Sequence, residues 1–484
     1  MTRKITIDPV TRVEGHGKVT IQLDDNDQVL HARLHIVEFR GFERFVQGRP
    51  YWEIPVLVQR LCGICPVSHH LCAAKAMDVI VGAPVLTPTA DKMRRLMHYG
   101  QVFQSHVLHF FHLASPDLLF GFDAEPAQRN IIGLIQAFPE LAKKAVLMRK
   151  FGQEVIRVTA GKKIHGTGAI PGGINKHLTP AERDELCHAR PDLGPDLMVA
   201  WAQEGIALFK DYHRKNRELV DGFAAFPSNS LSLVRADGAL DLYHGVLRAV
   251  DAEGKKIFDQ IDYAEYQEHI AEEVRSFTYM KFPFIKKLGP EQGFYRVGPL
   301  ARLNTCDFIP TPLAQAEFQQ YKAYTGGRPS GMSMHMHWAR LIEVLHAAEM
   351  IRELLADPDL YAGELVRTGT RRSEGVGLLE APRGTLFHHY RVGEDDLVTM
   401  CNLIVSTTSN NEAMNRSVTW VAKHRINGKR EIPQGLLNQV EVAIRAYDPC
   451  LSCATHAVGQ MPLEILLLDG QERVLDRAIR GAAA

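Results

Sequence analysis

The hydrophobic period of the chain changes twice, from strand-like near the N-terminus to helical in the middle and back to strand-like near the C-terminus. Residues 3–39 alternate apolar and polar positions around a DDND turn, which predicts a β-rich N-terminal lobe. Residues 383–406 return to that alternation, with GEDD as the turn. A last helix is expected at about 434–447, directly before the sequence DPC.

Between these strand regions, long stretches carry apolar residues at helical spacing, and each is long enough to pack in a bundle. They span residues 87–113, 125–161, 197–223 and 333–358. Thr87 or Thr89 is the expected N-cap of the first. The pattern predicts an α+β fold: one large unit in which a β-rich N-terminal lobe and C-terminal strands surround a central bundle of long helices, with the two chain ends converging.

Composition narrows the class of protein. The 484 residues are 45% hydrophobic and 23% charged, which is typical of a soluble protein with a large core. Lys and Arg number 56, as do Asp and Glu, so no net charge favours nucleic acid or an anionic membrane. The N-terminal sequence lacks an apolar signal region, and no apolar run approaches a membrane span, so we expect a cytoplasmic protein.

Two C-x-x-C pairs stand at opposite ends of the chain: Cys62 with Cys65, and Cys450 with Cys453, followed by His456. A C-x-x-C loop turns two thiolates toward one ion, and two loops supply the four soft ligands that zinc, iron–sulfur clusters or nickel accept. From spacing alone zinc leads, which makes a non-enzymatic scaffold held by a four-thiolate zinc one interpretation. The long separation weakens it, because small zinc modules close short loops.

Five motifs occur in order along the chain: RVEGHGK, FRGFE, LCGICPVSHH, APRGTL and DPCLSCATH. Together they resemble the large catalytic subunit of nickel–iron hydrogenases over essentially the whole chain, and most closely its soluble cytoplasmic, NAD-reducing branch. The resemblance implies that family's fold and the reversible cleavage of H2 to protons and electrons. Electrons would pass through an iron–sulfur small subunit, and from there to NAD+ on a flavin module.

The resemblance assigns roles to the cysteines. Cys62 and Cys450 would be terminal nickel thiolates, while Cys65 and Cys453 would bridge nickel to an iron that carries CO and cyanide. Cys450 would be the first proton acceptor. Taken alone, Glu14 is better explained as a solvated acid in a hairpin, but by the resemblance it would relay that proton outward.

Further residues would surround the metals. Arg383, otherwise an ordinary arginine at a strand start, would lie above the open site and be oriented by Asp117 and Asp448, although Asp448 also suits a turn cap before proline. His69, otherwise a core or capping histidine, would donate a ring N–H to a metal-bound thiolate. Thr407 would donate its hydroxyl to a cyanide.

One departure from the family pattern lies beside Thr407. The family usually has proline followed by serine there, where this chain has Ser406 and Thr407. Four histidines on the first long helix suit a folded core better than a metal site, because the last three step by three residues and drift around the helix: His98, His106, His109 and His112.

The C-terminal segment carries two further expectations. Glu43 of the R-G-x-E motif and His456 would bind a magnesium-type ion, with a hydrogen-bonded pair as the alternative. Residues 457–484 would be a maturation extension that a protease removes between His456 and Ala457, leaving one catalytic domain over residues 1–456. Without the resemblance, the two strand-like runs around LDGQ predict a hairpin that belongs to the fold.

The chain has too few cysteines for an electron relay of its own and lacks a G-x-G-x-x-G fingerprint. Iron–sulfur clusters and flavin are therefore expected on partner subunits. Besides the zinc scaffold, a third interpretation is a metal-free relative like those in respiratory complexes, but retention of all four cysteines argues against it.

Overall fold

The computed structural model describes residues 3–188, 191–429, 431–454, 463–468 and 474–480. Its strands fall into small, mostly antiparallel sheets. The strands are β1 (Arg3–Ile7), β2 (Gly17–Leu23), β3 (Val29–Ile36), β4 (Ala169–Ile170), β5 (Gly173–Ile174), β6 (Asn229–Val234), β7 (Val246–Val250), β8 (Lys256–Ile261), β9 (Ile270–Glu273), β10 (Phe282–Ile285), β11 (Tyr295–Arg296), β12 (Glu374–Ala381), β13 (Gly384–Val392), β14 (Val398–Ile404), β15 (Leu463–Leu468) and β16 (Val474–Arg480).

Helices supply most of the remaining regular structure. They are α1 (Phe42–Phe45), α2 (Ile54–Val58), α3 (Pro66–Ile80), α4 (Pro88–Val107), α5 (Ser115–Phe120), α6 (Ile131–Ala137), α7 (Pro139–Ala160), α8 (Pro180–Cys187), α9 (Pro195–Lys215), α10 (Arg217–Gly222), α11 (Tyr266–His269), α12 (Gly289–Gln292), α13 (Pro299–Thr305), α14 (Pro312–Tyr324), α15 (His335–Leu355), α16 (Ser406–Ser409), α17 (Asn411–Val421) and α18 (Gln434–Arg445). Short π-helical segments follow α4 and α17, at Leu108–Ala114 and Ala422–Ile426.

The N-terminal lobe is the predicted antiparallel sheet, with strand order β1-β2-β3. Val19, Ile21 and Leu23 alternate along β2 and are fully buried, so the period-two pattern marks the face that meets the core. Helix α17 packs against β3 and closes this face. The α+β class is thereby confirmed.

The central bundle is built from α4, α7, α9 and α15, with α4 against α7 and α15, and α15 against α9. Thr87 caps α4 as one of the two expected residues, since its side chain accepts a hydrogen bond from Ala90 N. The predicted stretch 125–161 divides into α6 and α7 at Pro139, which lacks an amide hydrogen and occupies the first turn of α7.

Among the described helices, none combines the length and apolarity that a membrane crossing requires.

The structure contains a second sheet in the middle of the chain, with strand order β11-β6-β7-β8. The sequence pattern predicted a mostly helical middle and did not predict this sheet. All six residues of β6 are buried, including Asn229 and two serines. Asn229 donates side-chain hydrogen bonds to the carbonyl oxygens of Gln292 and Phe294. The β6 sequence, NSLSLV, alternates serine and leucine as a half-buried strand does, but the serines are buried as well, and one short run among long helical stretches does not by itself predict a sheet.

The C-terminal strands form the antiparallel sheet β12-β13-β14, which packs on helix α3. Gly377 of β12 permits this packing, because a Cβ there would lie 2.1 Å from the carbonyl oxygen of Cys72. Helix α3 starts directly after Cys65, so the sheet fixes the helix that carries the first cysteine loop. Strands β15 and β16 pair as an antiparallel hairpin in the C-terminal extension.

Candidate metal centre

The first cysteine loop lies between a short 3-10 turn and helix α3. Cys62 ends the turn in an extended conformation, and Cys65 is the N-cap of α3, followed by Pro66 in the first helical turn. The amides of Ile64 and Cys65 donate to Cys62 Sγ at 3.2 and 3.3 Å. Backbone N–H groups therefore already point at this sulfur, as they do where a loop stabilises a thiolate.

The second loop follows α18. Asp448 has φ +54°, a left-handed conformation that turns the chain sharply before Pro449. Cys450 then forms an isolated β-bridge with Glu14, and Leu451 N donates to Glu14 O at 2.9 Å. The two chain ends thus meet through the backbone, as the sequence predicts.

The four sulfurs occupy one buried volume. The Sγ atoms of Cys62 and Cys450 are 3.2 Å apart, those of Cys65 and Cys453 are 3.6 Å apart, and those of Cys450 and Cys453 are 2.9 Å apart. The exposed fraction is 5% or less for each of these cysteines. Each cysteine of the first loop therefore faces one cysteine of the second.

Ionisation of this cluster is uneven. Hydrogen bonds from Cys450, Cys453 and Cys65 hold the pKa of Cys62 well below its ordinary value, whereas burial raises the pKa values of Cys450 and Cys453 well above theirs. One thiolate is stabilised by the neighbouring thiols, but four negative charges in this volume repel one another. A cation is needed to hold all four thiolates together.

Glu14 contacts the second loop directly. Its Oε2 accepts from Cys450 Sγ at 2.9 Å and from Ser452 N at 3.1 Å. Gly15 allows this approach, because it has φ +81° and a Cβ there would lie 2.8 Å from Ser452 N. The half-buried carboxylate lies between the cluster and the protein surface.

A buried set of charges fixes the segment that carries Glu14. Arg445, near the end of α18, donates to Thr11 O at 2.7 Å, to Arg12 O at 3.3 Å and to Asp117 Oδ2 at 2.5 Å. Glu441, one turn earlier, accepts from Thr11 N at 2.7 Å. We call Arg12, Asp117, Glu441 and Arg445 the terminal clamp, because they join the N-terminal segment to the helix that leads to Cys450.

The expected contact between Asp117 and Arg383 is not formed, which corrects that part of the sequence-based prediction. Among the described residues, Asp117 bonds to Arg12, Arg129 and Arg445 instead. Asp117 follows the π-helical segment after α4 and so faces the clamp rather than the cysteines. Within the sequence, the clamp's only signal is the proximity of Arg12 to Glu14 and of Arg445 to Cys450.

Arg383 is placed by a two-residue hairpin. Strands β12 and β13 pair up to Ala381 and Gly384, so Pro382 and Arg383 form the tip. Arg383 Nε donates to Asp448 O at 2.5 Å and Nη2 to Asp448 Oδ1 at 3.0 Å, which is the contact expected from the sequence. Burial opposes the charge on Arg383, but the Asp448 carboxylate and the cysteine sulfurs raise its pKa well above the ordinary value.

A narrow cavity next to the sulfurs is lined by Arg383, Ser68, His69 and Thr407 together with Cys65, Cys450 and Cys453. Arg383 Nη1 and Ser68 Oγ are buried and have no hydrogen-bond partner among the described residues. Thr407 Oγ1 accepts from Cys450 N at 3.0 Å, which leaves its hydroxyl hydrogen available. The cavity wall therefore presents polar donors to whatever occupies it.

Two other predicted residues lie in this wall or beside it. His69 Nδ1 is 3.1 Å from His388 Nε2, and His388 Nδ1 is 2.6 Å from the Tyr390 hydroxyl. Sequence analysis did not anticipate this histidine pair. Ser406 donates to Gly384 O at 2.6 Å and so supports the Arg383 hairpin.

Of the two residues predicted to bind a magnesium-type ion, the structure describes only Glu43. Glu43 lies in α1, is buried, and accepts from Leu403 N of β14 at 2.9 Å. His456 and Ala457 lie outside the described residues, so the ion site and the cleavage position stay predictions.

The histidines of α4 are core residues, as expected. His98 Nε2 is 3.0 Å from the carbonyl oxygens of Leu242 and Glu380, and burial lowers its pKa to about 3. His106 Nε2 is 2.8 Å from Glu343, and burial lowers its pKa to about 4. Both stay neutral at physiological pH.

Comparison with known proteins gives one consistent family. Residues 40–130 and 234–456 match the model described as nickel-dependent hydrogenase, and residues 4–39 match a model described as HoxL-like. The NAD-reducing hydrogenase HoxS subunit beta of Cupriavidus necator is 53% identical, covering 99% of this chain and 100% of that protein. One chain of the F420-non-reducing hydrogenase of Methanothermobacter marburgensis is 42% identical, covering 96% of this chain and 97% of its own length.

Solved structures agree. A crystal structure of an NAD+-reducing [NiFe]-hydrogenase in the H2-reduced state superposes with a TM-score of 0.90 and 55% sequence identity, covering 94% of this chain and 99% of that chain. The Ni-Fe-Se hydrogenase of Desulfovibrio vulgaris Hildenborough superposes with a TM-score of 0.74 at 23% identity, covering 94% and 100%, which shows a shared fold.

The terminal clamp yields a test of stability. Arg445→Gln leaves Asp117 and two backbone carbonyls short of a buried donor, so we expect the free energy of unfolding to fall by about 3–5 kcal/mol. The measurement is the midpoint of urea unfolding. Arg214→Gln is the matched control, because Arg214 pairs with Asp211 on an exposed helix face and should change stability by less than about 1 kcal/mol. Equal shifts in the two variants would contradict a clamp.

Proposed function

The chain belongs to the nickel-dependent hydrogenase family, and we propose on this premise that it is the catalytic subunit of an enzyme that couples H2 oxidation to NAD+ reduction. The reaction of this subunit is the reversible heterolytic cleavage of H2 at a nickel–iron centre. One observation carries the assignment. The ligand sulfurs of Cys62, Cys65, Cys450 and Cys453 all lie within 4.8 Å of one another, and the Glu14 carboxylate rests on Cys450 Sγ.

The donor set fits such a centre. Four thiolates are soft, strong ligands for nickel and iron, and the facing of Cys62 with Cys450 and of Cys65 with Cys453 supports one terminal pair and one bridging pair. The unpaired Arg383 Nη1 and Ser68 Oγ at the cavity wall suit small polar acceptors such as cyanide on the iron. When bound, the centre supplies the redox and Lewis-acid chemistry that polarises H2 and takes up its electrons.

The residues of the chain manage the proton. Cys450 Sγ is the first proton acceptor. Glu14 Oε2, 2.9 Å away, receives the proton and, because Glu14 is partly exposed, passes it toward the solvent. Arg383 contributes a fixed positive charge, held by Asp448, beside the sulfurs. Burial of all four cysteines excludes bulk water from the splitting step.

The zinc-scaffold alternative is disfavoured, because the whole-chain relatives are hydrogenases and because a structural zinc needs neither the carboxylate on Cys450 nor the arginine beside it. Electron transfer requires partners: a small subunit with an iron–sulfur cluster, together with a flavin-containing module for NAD+. We place the complex in the cytoplasm, and we assign Glu43 and His456 to a magnesium ion that secures the C-terminal segment.

We further propose that residues 457–484 are a maturation extension removed by a protease after metal insertion. The extension follows the cysteine loop directly, and β15 and β16 pair with each other as a hairpin. The four sulfurs already lie within 4.8 Å of one another with the extension present, so its proposed role is to leave the loop able to open while the metals are loaded. Its removal lets metal binding complete the last folding step.

The metal content is the direct test of function. Matured protein purified without oxygen should contain nickel and iron and show infrared bands from CO and cyanide. Active protein with one zinc, no nickel and no such bands would refute the proposal.

Glu14→Gln tests the proton path. The amide keeps the shape of the side chain but cannot relay a proton, so H2/D+ exchange should fall by about 100-fold or more while nickel and iron stay bound. Glu38→Gln is the control, because Glu38 is an exposed acid bonded to His16 in the same N-terminal region and should leave exchange unchanged. Normal exchange in a fully metallated Glu14→Gln protein would remove Glu14 from the path.

Intact mass spectrometry tests the extension. Active enzyme should end at His456, whereas inactive chain made without nickel should retain residues 457–484. Active enzyme that retains the complete extension would show that no cleavage is needed.

A further inference from the structure

A second cluster of metal-ligating side chains lies apart from the cysteines, where four helices begin or end. His213 is in the last turn of α9, Asp221 is in α10, Tyr324 closes α14 and His335 opens α15. The ligand atoms of His213, Asp221 and His335 lie within 4.8 Å of one another. Four separate elements thus direct polar atoms to one point.

The distances are close to those of a metal site. His213 Nε2 and His335 Nε2 lie 2.8 and 3.1 Å from the same oxygen, Asp221 Oδ1. The Tyr324 hydroxyl donates to Asp221 Oδ2 at 2.5 Å and is 3.2 Å from His213 Nε2. Neighbouring ligands of a tetrahedral zinc ion are about 3.3 Å apart, so movements of a few tenths of an ångström would admit an ion.

We propose that His213, Asp221 and His335 bind a divalent transition-metal ion of the zinc type. Two imidazole nitrogens and one carboxylate oxygen are a preferred ligand set for this class of ion. The Tyr324 hydroxyl lies beside these atoms, and a water molecule would complete the tetrahedron. Without a cation, the same atoms hydrogen-bond to one another, so metal binding replaces the shared hydrogens.

The imidazole of His335 is held in place from behind. Ser330 Oγ lies 3.1 Å from His335 Nδ1 and also accepts from Met332 N at 3.2 Å. The rings of Tyr321 and Trp338 contact the imidazole edge-on, with centroids at 5.8 and 6.5 Å. A hydrogen bond to the second ring nitrogen and fixed packing are what orient a metal-ligating histidine.

A route for the ion is present. A cavity of about 730 Å³ is lined by His213, Tyr324 and Trp338, with Lys210 and Arg217 among its charged residues. Lys210 is neutralised by Glu317 at 3.0 Å. Arg217 Nε is 3.5 Å from Asp221 Oδ2, but its side chain is 73% exposed and can turn into solvent when a cation binds.

The site would tie α9, α10 and α15 together on the flank of the bundle. Helix α15 also reaches the catalytic region, since Arg340 donates to Ala446 O at 3.0 Å, shortly before Asp448. The ion would therefore hold a helix that supports the cysteine loop. Its role is structural, and the inference does not depend on the proposed reaction.

The test uses the complete enzyme after dialysis against zinc, with metal analysis and zinc X-ray absorption. We expect one zinc per chain bound by nitrogen and oxygen, and at least tenfold less in His213→Gln and His335→Gln. His424→Gln, which changes an exposed histidine bonded to Trp420 O, should retain the zinc. Nickel and iron should stay unchanged in all three variants, which separates this result from failure of the proposed function.

If a substituted protein fails to fold, measurements on the wild type still test the inference: a zinc ion bound by sulfur, or no bound zinc, would overturn it. If both variants fold, full zinc occupancy in His213→Gln and His335→Gln would also overturn it. A thermal midpoint of the wild type that zinc and chelator leave unchanged would also contradict the site, because an ion that binds only the folded state must raise that midpoint.

Discussion

Four sulfur atoms from the two ends of the chain must share one buried volume, and the surrounding fold serves that requirement. Thiolates this close repel one another and lose their hydration, so the cluster is stable as thiolates only around a cation. The protein holds the sulfurs at 2.9–3.6 Å with backbone amides, a sharp turn at Asp448 and the packing of α3 on β12. Metal binding and closure of the fold are therefore linked.

Buried ion pairs connect the region around the cysteines to the helix bundle. Arg302 bonds to both Glu343 and Glu380 in a fully buried network. Burial disfavours the charge on Glu343, but the Arg302 guanidinium lowers its pKa to about 2. Such pairs contribute little net stability compared with apolar packing, yet removal of one partner leaves the other as an unpaired buried charge. They specify a unique arrangement around the site, as the terminal clamp does for Glu14.

The proposed proton path and the cysteine cluster share one structural element. Glu14 is reached from Cys450 by a single contact, and the same residue forms the backbone bridge to the second cysteine loop. A shift of the N-terminal segment would alter the relay and the cage together. The clamp formed by Arg445 and Asp117 therefore influences chemistry without touching the sulfurs.

The sequence by itself predicted a metal site from the two C-x-x-C pairs, the β-rich lobe and the long helices, and its family resemblance implied that Glu14 lies beside the second loop. C-x-x-C spacing is local chemistry, and amphipathic periods of 2 and 3.6 record which face is buried. Tertiary structure alone decided the partners of Asp117, the His69–His388 pair and the sheet around β6. The first two depend on contacts between distant segments, and the short β6 run acquires its place only by pairing with β7 and β11. Whether Asp117 meets Arg383 or Arg445 is decided by how the π-helical segment after α4 packs against α18, and no spacing along the chain encodes that packing.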